Sequence, residues 1–224
     1  MRILALDGST EALSVALLDT TRPAEATEHF EIAPRAHARR LLPVAHDLLA
    51  DAGLGLSDID GLAFGRGPGA FTGLRVTAGL VQGLASGIGR PVVPVSTLAA
   101  LAARCFASDT ACRVCVVQDA RMGEIYTAEF ERGDDAPAGL GAERVIAPEA
   151  LAIPTADVAL AGNGWGVVAA ARGHDPSRFG VVVDAPHAID MARLAAPILG
   201  AGGGVCPAQA IPVYVRDDVA RKPS

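Results

Sequence analysis

Asp7-Gly8-Ser9-Thr10 ends a short apolar run with an acid, a glycine and two hydroxyls. Small hydroxyl side chains and free backbone amides suit phosphate oxygens, and an acid beside them suits a hydrated Mg²⁺. The same four residue types are also ordinary turn formers. A matching jaw would need a second small-residue turn. The second half of the chain offers Asp119-Ala120-Arg121-Met122-Gly123-Glu124 instead, where bulky residues replace small ones. Asp7, Ser9, Thr10, Asp119 and Arg121 therefore read as vestigial phosphate-type turns, and no nucleotide cofactor is expected.

Other chemistries fail on spacing. The glycine turn at 65–69 is not followed by a Lys-Ser or Lys-Thr pair, so a β/γ-phosphate would lack its main counter-charge. It is no dinucleotide fingerprint either, because the third glycine is missing from its position and Pro68 removes a donor amide. His37 and His46 are nine residues apart. At about 100° per residue they point to opposite sides of a helix and cannot share one ion. No His-x-x-x-His pair occurs, and His29, His174 and His187 are isolated. Cys112 and Cys115 have redox spacing, but an offset of three in a strand puts them on opposite faces. No Gly-x-Ser-x-Gly elbow is present. No catalytic residue and no metal ligand set is expected.

The elements that position these turns follow a repeated order. Each half opens with an apolar strand ending in Asp, then a turn and a hairpin return. Strands are expected at 1–7, 12–19, 28–32, 59–64, 91–95, 114–118, 124–131, 158–161 and 212–215. Helices are expected at 36–52, after the glycine turn, from Ser96-Thr97 to 106, to Arg172, and at 187–199. The chain reads as α/β in two lobes, 1–105 and a smaller 106–224. The segment 65–89 is the most distinctive: Gly79, Gly83 and Gly87 recur every four residues, leaving one helix face without bulk. Each glycine costs roughly 1 kcal/mol of helix propensity, so such a face implies close approach by another helix. The helix at 36–52 is its natural neighbour, and two such pairs would make a four-helix interface.

Half of the 224 residues are hydrophobic and only 4% aromatic, so the core must be built from Ala, Val, Leu and Ile. The formal charge of -6, without a basic run longer than two, disfavours direct grip on nucleic acid. No signal peptide or membrane span is evident, and the four cysteines lie in apolar stretches, so a cytoplasmic chain with reduced thiols is expected.

Several stretches together resemble the TsaB family: 6–17 (LDGSTEALSVAL), 37–42 with Pro43, 67–75 (GPGAFTGLR), 82–85, 119–126 (DARMGEIY) and 212–216. The resemblance spans nearly the whole chain. It implies a two-lobed actin-like (ASKHA) fold and a non-catalytic subunit in making threonylcarbamoyl-adenosine beside the tRNA anticodon. It further implies docking on the catalytic relative TsaD, a ternary complex with the ATPase TsaE, self-pairing through similar surface, and tRNA contact only through the complex. Carried over, the contact residues are Leu41, Leu42, Phe71, Gly73, Leu74, Arg75, Gly79 and Gly83. Ala70 stands where the family usually has Ser, removing a helix cap, and Gly8 where Thr is common, which is expected to loosen the first turn. The alternatives are a small ATP-dependent phosphotransferase of the actin superfamily and, less favoured for want of paired histidines, a metallopeptidase.

Overall fold

The computed structural model describes residues 1–216. Strands β1 (Arg2–Asp7), β2 (Ala12–Asp19) and β3 (Thr27–Ile32) form an antiparallel meander, and β4 (Gly61–Gly67) and β5 (Val92–Ser96) add parallel to β1, in the order β3-β2-β1-β4-β5. Ile3, Leu4, Ala5 and Leu6 are wholly buried, as a central strand covered on both faces requires. On one face, α1 (His37–Asp51) and α2 (Phe71–Ile88) pack Leu41, Ala45, Val81 and Ala85 over Leu4, Leu6, Leu62 and Phe64. The other face is covered by α5 (Ala188–Gly200) through Met191, Ala192 and Ala195.

The second sheet runs β11-β10-β6-β7-β8, with β6 (Arg113–Arg121), β7 (Glu124–Glu131), β8 (Ala138–Gly139), β10 (Val158–Ala161) and β11 (Val181–Val183); β9 (Arg144–Ile146) also pairs with β7. Helix α3 (Thr97–Ser108) closes one face with Leu98, Leu101 and Cys105, and α4 (Trp165–Ala171) closes the other with Trp165 and Val168. The Ser96 hydroxyl accepts from the Ala99 amide at 3.1 Å, the N-cap its sequence position predicts.

Three expectations change. The stretch 212–215 is not a strand; it runs extended and joins β4 through one bond, from Val213 N to Arg66 O at 2.8 Å. The short β9 and β11 lie in stretches whose composition predicts loops. Helix α5, expected within the second lobe, packs on the first sheet because its Ala-rich face matches Ala5, Ala16 and Ala63 there. A cut at 105/106 falls inside α3, the element that carries the chain between sheets.

Candidate functional site

Helix α2 presents two different glycine environments. Along its outer side, Gly79, Gly83 and Gly87 have nothing in the chain within 4 Å of where a Cβ would stand. On its inner side, Gly73 is closed against the main chain of Gly8, and a methyl there would overlap the Gly8 carbonyl oxygen. The helix starts without a side-chain cap at Ala70, as the missing hydroxyl predicts, and ends at Gly89 in the left-handed conformation (φ 64°). Five of the eight expected contact residues are exposed: Leu42, Phe71, Arg75, Gly79 and Gly83. The other three are not surface. Leu41 and Leu74 are each 1% exposed, and Gly73 is buried, because the i, i+4 positions facing the sheet must fill the core.

The outer face carries a feature that sequence spacing did not show. The Arg75 guanidinium lies 3.7 Å from the centre of the Phe71 ring, and its Nε donates to the Tyr214 hydroxyl at 2.8 Å. Residues 207–216 thus cross over α2, with Gln82 Nε2 donating to Ala210 O at 3.1 Å. An arginine in an otherwise apolar helix was the one available signal. Between α1 and α2 lies an apolar groove of about 180 Å³, lined by Leu42, His46, Leu49, Leu54 and Leu84.

The two phosphate-type turns meet across a cleft of about 180 Å³, between Ser9-Thr10 on one side and Asp119–Arg121 on the other. Asp7 does not reach it. Its carboxylate is 1% exposed, accepting from Ser9 Oγ at 2.9 Å while Oδ1 abuts Gly65. Burial is the main cause that pushes its pKa from 3.8 to about 7, against opposing hydrogen bonds from Ser9 and Gly8. A carboxyl so placed is poorly suited to a hydrated cation. Gly8 does not loosen this turn, as its sequence position predicts; a Cβ there would lie 2.7 Å from Thr77 Oγ1 and 2.8 Å from His37 Cδ2, so the turn is packed tight. In the facing turn Arg121 and Met122 adopt positive φ (62° and 56°), and Arg121 bonds Glu11 at 2.7 Å and Asp119 at 3.2 Å. The arginine that a phosphate would need is already shared by two carboxylates.

The remaining candidates lie apart. His37 is buried with Nε2 3.1 Å from Ala12 O, while the His46 side chain is 79% exposed. Cys115 is buried and Cys112 exposed, the opposite faces expected; burial pushes the Cys115 thiol up to about 12. Among the described residues no three His, Cys, Asp or Glu side chains converge, and no helix is long and apolar enough to cross a membrane.

The chain has well-matched relatives. A family model described as "TsaD: tRNA N6-adenosine threonylcarbamoyltransferase" matches residues 29–196. A protein of Escherichia coli named tRNA threonylcarbamoyladenosine biosynthesis protein TsaB is 40% identical over 99% of this chain and 97% of its own length. Its namesake in Haemophilus influenzae is 37% identical over 99% and 96%. A Pseudomonas aeruginosa crystal structure, described as uncharacterized with similarity to peptidase YEAZ, superposes with a TM-score of 0.83 at 45% identity, covering 96% of this chain and 99% of that one. YeaZ from the same organism superposes with a TM-score of 0.81 at 44% identity, covering 95% and 100%. The two sheets with their crossing helices form the two-lobed actin-like α/β fold, the second lobe reduced. On the extent of these matches, the chain belongs to the TsaB family.

Proposed function

We propose that this chain is a cytoplasmic, non-catalytic subunit of a tRNA threonylcarbamoyl-adenosine modification complex. It docks on a TsaD-type partner through the exposed face of α1 and α2, and it joins a TsaE-type ATPase in that assembly. The same face serves pairing between two copies, and tRNA is met through the complex. The first lobe then carries the docking helices, with α5 returned to it, and the division from the smaller second lobe lies near residue 105.

The observation that supports this reading is the open stripe of Gly79, Gly83 and Gly87 beside Leu42 and Phe71. Three glycines on an exposed helix face lower the stability of the isolated chain, and their absence of bulk serves only a surface that approaches closely. The cleft argues in the same direction: its acids are spent on its own arginine, and Asp7 is sealed beneath it. A phosphotransferase would need both turns free.

The test is reconstitution. The purified chain is mixed with TsaD and TsaE and threonylcarbamoylation of tRNA is assayed, with each component omitted in turn. Activity should require the mixture and be absent from this chain alone. Turnover of ATP or of tRNA by the chain alone would overturn the reading, as would full activity of TsaD and TsaE without it.

A further inference from the structure

One polar side chain in the cleft has no use in docking. Gln118 stands on β6 in the alternation set by Val114, Val116 and Ala120, all of which pack in the cluster with α3. An apolar residue would continue that face. Instead the position carries an amide that is 2% exposed, and its Oε1 meets no hydrogen-bond donor among the described residues. Buried amide oxygens are nearly always answered by a donor, so an unanswered one at the wall of a cavity marks a place where a donor is received.

The cavity around it is large enough for a ligand of one ring. Its volume of about 180 Å³ exceeds the roughly 150 Å³ at which an engineered apolar cavity takes up benzene. Leu74, Pro68, Val213 and Tyr126 supply flat apolar walls, and Thr10 and Asn163 supply polar rims. The charges exclude an anion. Arg121 is matched by Glu11 and Asp119, and Arg216 by Glu124, so each cation lining the cleft already faces a carboxylate. A phosphate entering here would meet Glu11 and Asp119 without an unmatched partner.

We propose that the interlobe cleft binds a small, uncharged, planar molecule bearing an NH₂ group beside a ring, of the aminated heterocycle or aryl carboxamide kind, with Gln118 as its recognition residue. The NH₂ donates to Gln118 Oε1, the Gln118 amide donates to the ring or carbonyl acceptor beside it, and the ring fills the space between Leu74 and Tyr126. This site is separate from the exposed face of α1 and α2, so docking and ligand binding can be read independently.

The probes are adenine, benzamide and AMP, titrated into the purified chain by calorimetry and followed by ligand-observed NMR. At least one of adenine and benzamide should bind saturably with a Kd below about 1 mM, and AMP should bind no more tightly than adenine. Whichever neutral probe binds identifies the class. Gln118→Met, which preserves volume and length, should weaken that binding ten-fold or more. An Ala70→Phe variant, which narrows the mouth from the opposite side, should do the same and covers the case in which Gln118→Met does not fold. Failure of both neutral probes to bind, tighter binding of AMP than of adenine, or a loss of less than ten-fold in the folded variants would overturn the proposal. None of these outcomes changes association with TsaD, which tests the docking face alone.

Discussion

Gly73 on α2 and Gly8 in the first turn touch main chain to main chain, with no room for a side chain on either. That contact fixes the start of α2 against the turn that follows β1. It also explains why Gly73 is not part of the open stripe, although it occurs in the same helix and looks the same in sequence. Gly73→Ala should therefore destabilise the fold by about 2 kcal/mol or more, since the neighbour is backbone and cannot rotate away. Thermal and urea denaturation of the variant measure this, and a stability equal to the parent would show that the turn yields.

Gly79→Leu and Gly83→Leu should behave in the opposite way. Nothing in the chain stands near either position, so the monomer gains roughly 0.5–1 kcal/mol of helix propensity. The added bulk removes the close approach the stripe permits, so self-association and TsaD binding should both fall by at least ten-fold. Sedimentation and pull-down, read beside circular dichroism, separate the two effects. A folded variant that associates as tightly as the parent would remove the stripe from the interface.

Much of this was legible because periodicity reports which side of a helix is apolar. The amphipathic spacing of α1, the Ser96 cap and the hairpin order of both halves follow from local rules and stand in the structure. What was not legible depends on partners far away in sequence. Tyr214 reaches Arg75 across 139 positions, and α5 chooses the first sheet only because small residues there match its own. Leu41 and Leu42 differ by one position and by 100° of helix, so a contact list taken from resemblance mixed core with surface. Gln118 hides in an apolar strand for the same reason: a single polar residue in alternation shows only when the cavity beside it is seen.

Asp7 gives the fold an unusual response to pH. Its folded pKa is raised from 3.8 to about 7, so the native state prefers the protonated carboxyl. Stability from this group is complete below about pH 4 and is lost as pH rises through 7, a span that corresponds to about 4 kcal/mol. Asp7→Asn cannot ionise and should be flat over that interval, with the largest gain in melting temperature over the parent near pH 8. Melting curves taken from pH 4 to 8 decide it; parallel curves for the two proteins would show that Asp7 is ionised at neutral pH after all.

Glu28 should act with the opposite sign. It stands on β3 and receives Ser14 Oγ at 2.7 Å, His187 Nδ1 at 2.8 Å and the Ile189 amide at 3.2 Å, and so joins the first sheet to the start of α5. Burial works against its charge, but the bonds from His187 and Ser14, the His187 charge and the Ile189 amide outweigh it and hold the pKa below 4.5. Its contribution is therefore present above about pH 4.5 and lost as pH falls through the lowered value. Glu28→Ala should cost about 3 kcal/mol at pH 7, because several donors lose their acceptor at once. Glu28→Gln keeps an oxygen for Ser14 and the amide but not the charge, so it should lose less at pH 7 and show a shallower fall between pH 5 and 3 than the parent. Urea titrations at pH 7, 5 and 3 read both effects, and an acid limb as steep in Glu28→Gln as in the parent would assign the loss to other carboxylates.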